Sequence, residues 1–514
     1  MSTDTVWPPA FNPALYSQDG CSAPLQGKHA TYNVGPNQQY TELTQVPWLS
    51  LVAGDVVNIY YRATPYATLI GLRAQGTADQ PVTINGVTDA SCNRPVLTAV
   101  NAVPAADAKA ANFGADIQGS GIIKIHRAPS DDSSTHKASF IAIKNLKMVG
   151  AKSGNYYYDY TNTRVAYGMF TSAIYVVRVG GLLLENNEIM DNGNGVFVNT
   201  RGISPIDFSS NVILRGNRIE GNGYMTDDHE HGTYIEARRV LYEGNYYGPA
   251  RGGAALKDRS SGTVVRYNKI VAGARALDLV DSDEAYNNNI FTDPLYNSAW
   301  VYGNVIVNDY ASTEGFSIRL IHWGFDQDAA RCRNGRLYFY GNTVVHRGYT
   351  STNWYVSIFQ QGTNGYDFMP PDSSNYQIDA WDNVFTNQGN ANGTTQFAML
   401  TELGQVNLKG TNYLPTGWLP VGTGSGTTVT TGSTVLTGSY TVLDSTTFTP
   451  AASTSILNRG NTFTPDYTAI KDLAGAAFSS DNLALIGEFE YNKRPLAKTK
   501  TLNSTIDLGA IERQ

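Results

Sequence analysis

The chain has 514 residues, 41% hydrophobic and 16% charged, enough to bury a large core. A formal net charge of −7 argues against bulk binding to nucleic acid or to an anionic membrane, so an anionic partner would need a local basic patch. No run approaches the roughly 18 apolar residues of a membrane-crossing helix, and no long amphipathic helix stands out, which leaves an all-β chain with many turns.

The N-terminus, Met1-Ser-Thr-Asp-Thr, shows neither a basic n-region nor an apolar h-region. The reading preferred here is a removed leader with Met1 added, hence a secreted or periplasmic protein. Of the three cysteines, Cys21, Cys92 and Cys332, the first two share the N-terminal part. They could pair, and sequence does not decide it.

The first strand-like segments are VPWLSLVAGDVVNIYYRATPY (47–66) and GTADQPVTINGV (76–87). Then one pattern recurs: an apolar run, an Asn, one residue, and an apolar residue. Its Asn positions are 145, 187, 217, 245, 268, 304, 342 and 383, spaced 23 to 42 residues apart. A β-solenoid coil needs roughly 20 residues or more, and longer spacings are loops inserted at turns. Asn at a sharp corner tolerates the left-handed conformation, and stacked amides can hydrogen-bond along the axis. The expected fold is a single right-handed parallel β-helix. Residues 1–45 form an N-terminal extension or cap and 46–400 the helix. Residues 401–514 form a β-rich segment of last coils and cap. Within it, the Thr- and Ser-rich stretch at 420–460 alternates with Val and Leu, which predicts exposed strands.

Three central coils align as Gly195-Val-Phe-Val-Asn-Thr-Arg201, Gly232-Thr-Tyr-Ile-Glu-Ala-Arg238 and Gly253-Ala-Ala-Leu-Lys-Asp-Arg259. With Val198, Ile235 and Leu256 inward, period-two alternation turns their neighbours outward. The outward face then carries Phe197, Asn199, Arg201, Tyr234, Glu236, Arg238, Lys257 and Arg259. The next coil adds Arg275 and Asp278. Between 229 and 275 there are eight Lys or Arg against four Asp or Glu, in a chain that is net acidic. That excess fits an acidic polysaccharide, although cross-strand ion pairs such as Glu236 with Lys257 would also explain it.

A loop before the second coil reads Asp227-Asp228-His229-Glu230-His231. A His or Tyr beside Lys and Arg can remove a proton α to a carboxylate, while the cations stabilise the enolate-like intermediate. His229 or His231 and Tyr234, its pKa lowered by nearby cations, are the candidate base and acid. Lys257 and Arg259 are the carboxylate-neutralising cations. Asn199, Arg201, Glu236, Arg238, Arg275 and Asp278 are substrate-binding candidates.

These segments resemble known β-helix enzymes of the pectate-lyase-like superfamily. The strands at 47–66 and 76–87 are similar to the opening coils of secreted β-helix proteins, and STIDLGAIE (504–512) to their ending. Asp227 and His229, followed by the strand carrying Lys257, resemble alginate C5-epimerases, with Asp228 and Glu230 departing from that motif. Lys257 followed by Val265-Arg266-Tyr267-Asn268 resembles the chondroitinase-B-like and alginate lyases. The resemblance implies a polysaccharide lyase acting by β-elimination on a uronic-acid polymer, or an epimerase sharing its first step. In the lyases it also implies calcium, for which only Asn199 and Glu236 are candidates; otherwise no cofactor is expected. A hydrolase could draw two carboxylates from Asp227, Asp228, Glu230, Glu236 and Asp278. A non-catalytic adhesin could use Tyr156 to Tyr158, Tyr160, Trp323, Trp354 and Tyr355 as sugar-stacking platforms.

Overall fold

The computed structural model describes residues 21–224, 229–272, 275–283, 287–309, 319–326, 330–347, 355–361, 376–388, 396–421, 428–431 and 434–460. Near the C-terminus it describes 483–489, 494–499, 507–511 and 513. Among these residues the chain winds through three stacked sheets of 13, 11 and 12 strands, whose neighbours lie one coil apart. One coil runs Arg238–Glu243, Tyr246–Tyr247 and Leu256–Asp258, and the next begins at Ser261–Arg266. Each strand pairs in parallel with its counterpart one coil on, as Arg238–Glu243 does with Ser261–Arg266. This is the expected right-handed parallel β-helix.

Alternation places one side chain in two inside. Leu182 and Leu184, Val212 and Leu214, and Val240 and Tyr242 enter one continuous core. Leu183, Ile213 and Leu241 face the other way and join a second apolar cluster that includes Val442, Phe448 and Ile511. The stacking already holds at the N-terminus, where Thr31–Val34 pairs with Val56–Tyr60. At the far end Thr428–Thr431 and Thr434–Gly438 remain in the stack as largely exposed strands, as their alternation predicts.

The asparagine pattern is a ladder. Asn217 Nδ2 donates to Asn245 Oδ1 at 3.0 Å, Asn245 to Asn268 at 3.0 Å and Asn268 to Asn304 at 3.0 Å. The rungs continue through Asn342 and Asn383 to Asn412. Each rung Oδ1 also accepts a backbone N–H, as Asn268 does from Asn245 at 2.9 Å. Two details differ from expectation. The left-handed residue is the one before the ladder Asn: Asn186, Gly216, Gly244, Tyr267, Gly303, Gly341 and Asp382 have φ between 54 and 64°. The Asn itself is held by its amide, and the turn is made upstream. Asn145 is not a rung, because the N–H of the next residue, Leu146, donates to Asn187 Oδ1. Asn145 instead belongs to a separate ladder with Asn58 and Asn85.

Cys21 and Cys92 are joined as a disulfide. Among the described residues no helix is long and apolar enough to cross a membrane. Trp323 is fully buried in the core and offers no platform to a sugar. Trp354 lies outside the described residues.

Candidate functional site

The 12-stranded sheet carries the outward row predicted from sequence, extended by several coils. Successive parallel partners are Lys124, Tyr175, Phe197, Tyr234, Lys257, Asp278, His322 and Gln360. Leu277 and Leu279 point inward on either side of Asp278. Two residues along, Glu236 of the second coil stands level with Arg259 of the third, since Arg259 N–H donates to the carbonyl of Ile235.

The register differs from the glycine alignment by two residues. Ile235 pairs with Asp258, and Tyr234 with Lys257. Gly232 faces Ala255 and not Gly253, which belongs to the preceding loop. An even slip keeps every side chain on its own face, so Lys257 remains outward. Asp258, between outward Lys257 and Arg259, likewise stays inward, where Arg333 Nη2 meets it at 3.1 Å and the hydroxyls of Tyr242 and Thr263 donate at 2.9 and 2.6 Å. Arg238 is corrected as well. It opens the strand of the next sheet, its guanidinium lies 3.7 Å from the ring centroid of Phe208, and its Nε is 3.4 Å from Asp293.

The centre is a cluster of alternating charges. Lys257 Nζ lies 2.9 Å from Asp278 Oδ2 and 3.1 Å from Asp326 Oδ2. Arg259 Nη2 meets the same Asp326 oxygen at 2.7 Å. Arg275 Nη1 holds Asp278 Oδ1 at 2.9 Å and its Nη2 donates to Gln360 Oε1 at 3.1 Å. His322 Nδ1 is 2.8 Å from Asp278 Oδ1, while its buried Nε2 has no hydrogen-bond partner. Burial alone would raise the carboxyls of Asp278 and Asp326. Lys257 with Arg275 and His322 for Asp278, and Lys257 with Arg259 for Asp326, hold both below the usual carboxylate range. The basic excess of the sequence is thus matched by acids from more distant coils.

Two expected roles change with the surroundings. Tyr234 donates its hydroxyl to Asp283 Oδ2 at 2.9 Å. Burial, reinforced by Asp283 and Glu236, pushes its pKa well above 10 against the opposing pull of Arg259, so Tyr234 stays protonated and is no base. His231 is buried, and burial together with Lys257 drives its pKa well below 6.5. Its Nδ1 accepts the Ala254 N–H at 3.0 Å, which leaves the proton of the neutral ring on Nε2. Each therefore presents an N–H or O–H as a hydrogen-bond donor. Their rings meet edge to face at 5.6 Å.

The remaining candidates lie around this centre. His229 is exposed at the lip, and Asp227 and Asp228 lie outside the described residues. Arg201 donates to the Tyr175 hydroxyl at 3.1 Å. Glu236, pushed up to about 8 chiefly by burial, accepts from Asp283 N–H at 2.7 Å and Asn288 Nδ2 at 2.6 Å. Asn199 is buried with neither amide atom hydrogen-bonded. Calcium takes six to eight oxygens. Asn199 and Glu236 do not reach that set, and among the described residues no group of three or more His, Cys, Asp or Glu is placed to hold a metal.

His322 and Asp326 are absent from the sequence-derived set. His322 sits in Leu320-Ile321-His322-Trp323, where inward Ile321 and Trp323 mark it as outward; carrying the coil alignment one coil further would find it. Asp326 belongs to a turn, and nothing periodic marks it.

Residues 151–313 match the family described as a right handed beta helix region. A search of curated proteins finds no significant match. Among solved structures the chain is similar to pectate lyase Pel9A, at 11% identity and a TM-score of 0.43, covering 96% of this chain and 98% of that one. It is also similar to the GH136 lacto-N-biosidase of Eubacterium ramulus, at 11% identity and 0.41, covering 80% and 68%. A third is the DFA-IIIase of Arthrobacter chlorophenolicus A6, at 11% identity and 0.27, covering 75% and 84%.

Proposed function

We propose that this right-handed parallel β-helix protein is a carbohydrate-active enzyme, a polysaccharide lyase cleaving a uronic-acid-containing polymer by β-elimination at the face around Lys257. The observation that carries this reading is the convergence of Lys257 and Arg259 on one carboxylate oxygen of Asp326, at 3.1 and 2.7 Å. The two cations already converge on a single carboxylate oxygen. Asp326 is the cluster's most exposed acid, 19% accessible against 1% for Asp278, and a substrate uronate exchanging with it would meet both charges.

The chemistry follows from the neighbours. Asp278 accepts from His322 Nδ1, leaving the Nε2 lone pair as the base for the sugar C5 proton. Lys257 and Arg259 stabilise the enolate-like charge that develops on the carboxylate. The C4–O bond then breaks and a C4=C5 bond forms. The leaving oxygen takes a proton from the Tyr234 hydroxyl, one rung before Lys257. An epimerase would share the first step and return a proton to the opposite face. One observation favours a hydrolase as the second reading: Glu236 is pushed up to about 8 while Asp278 and Asp326 are held low, the divergence an acid and an ionised partner need. The joined Cys21 and Cys92 support an oxidising, extracytoplasmic location.

The test is incubation with polygalacturonate, alginate and neutral glucans. A rise in the ultraviolet absorbance of unsaturated uronate supports the lyase. New reducing ends without it support the hydrolase, and a changed epimer ratio at constant length the epimerase. Binding without any of the three leaves an adhesin.

A further inference from the structure

The strands of the site sheet are parallel, so their N-terminal ends share one lip of the face and their C-terminal ends the other. Asp326 and Asp283 follow the C-terminal ends. The opposite lip carries Met169 and Phe170, directly before the strand Ser172–Val176. Both are large apolar side chains left in solvent, 55% and 45% accessible. Phe170 also has φ of 62°, a backbone conformation unfavourable for a bulky residue that persists only where surroundings hold it.

What holds it is a buried carboxylate. The Phe170 N–H donates to Glu230 Oε1 at 2.6 Å, and Glu230 is fully buried against Gly193. Glu230 immediately precedes His231, whose backbone N–H donates to Asn194 Oδ1 at 2.8 Å on the intervening coil. The backbone that carries the exposed phenyl is therefore anchored through Glu230 to the segment that delivers His231. Its coil lies three rungs from that of Lys257, at about 4.8 Å per rung. Between them the outward row is aromatic: Tyr175 stacks on Phe197 at 5.0 Å, and Phe197 meets Tyr234 edge-on at 5.2 Å.

Core packing explains neither the exposure nor the strain, and a charged loop would not need a buried acid to fix an apolar tip. We propose that Phe170, with Met169 beside it, is a sugar-stacking platform that binds a ring of the polymer several units from the one that reacts. This rests on the carbohydrate-active reading above. Aromatic faces take the apolar C–H face of a pyranose through dispersion, without need of charge. Binding energy from such a remote unit favours long substrates over short ones.

The experiment compares the full chain with Phe170→Ala and Phe170→Trp on polygalacturonate and alginate, each as polymer and as short oligosaccharides. Retention in gels containing each polymer gives a readout independent of turnover. Phe170→Ala is expected to shrink the polymer-over-oligomer advantage in kcat/KM by about 3- to 10-fold and to weaken retention, with Phe170→Trp restoring both. An unchanged advantage and unchanged retention in Phe170→Ala overturn the platform while the enzyme reading stands. Neither turnover nor retention for the parent chain on any probe removes both. Loss in all variants alike, Phe170→Trp included, assigns Phe170 to folding and overturns the platform.

Discussion

His322 Nδ1 lies 2.8 Å from Asp278 Oδ1 across one rung of the site sheet, and the same carboxylate is held on its other oxygen by Lys257 at 2.9 Å. Asp278 thus couples a candidate base to a candidate cation, and all three stand on one outward row. Removing the base is expected to act on turnover and not on the fold. His322→Gln should lower kcat by about 10²–10⁴-fold, the range of general acid–base catalysis, with unchanged circular dichroism. Asp278→Asn should lower kcat in the same direction, because it removes the carboxylate that orients the His322 ring through Nδ1. A His322→Gln enzyme with full turnover would remove the proposed base.

Lys257 separates substrate binding from charge balance. Lys257→Ala is expected to abolish turnover on uronate polymers and leave the solenoid folded, since its side chain is still 10% accessible to water. Arg259→Ala should also lose turnover and cost more stability, because Arg259 is 1% accessible and its loss leaves Asp326 and the fully buried Asp281 less compensated. Melting temperatures of the two variants measured together check the order.

The asparagine ladder should be cooperative. Asn268→Ala removes the acceptor of both Asn245 N–H and Nδ2, which donate at 2.9 and 3.0 Å, and the donor to Asn304. Each buried group left unsatisfied costs about 1–3 kcal/mol, so a clear fall in urea midpoint is expected. Asn145→Ala, off this ladder and partly exposed, should cost less.

Acid should destabilise the protein through a buried histidine far from the site. Burial lowers His346 to about 4, below its ordinary 6.5, and its Nδ1 pairs with Asn308 Oδ1 at 2.8 Å. The unfolded chain therefore binds a proton that the folded chain refuses. That contribution is fully present above about pH 6.5 and is lost as pH falls toward about 4. The stability difference between wild type and His346→Gln should narrow over this window. A constant difference from pH 7 to 4 would refute the linkage.

Much of this architecture was legible in advance because it is periodic. The Asn repeat marked the coils, and alternation put Lys257, Asp278 and Tyr234 on one face, even though the glycine alignment was off by two. The two-residue slip is harmless for facing and decisive for pairing: it sets Lys257 against Glu236, where the structure sets it against Tyr234 and Asp278. The protonation states were not legible. Tyr234 was expected to be softened by cations, but Asp283, 49 residues away, and burial act the other way.

By itself, then, the sequence determined the solenoid and the outward row, because both depend on residue spacing along the chain and on a side-chain period of two. Only the tertiary structure decided which charges meet. Asp326 and His322 reach Lys257 and Asp278 from later coils, across separations of 69 and 44 residues that no local pattern encodes. Burial and charge partners, which set each group's proton affinity, come into being when those coils stack.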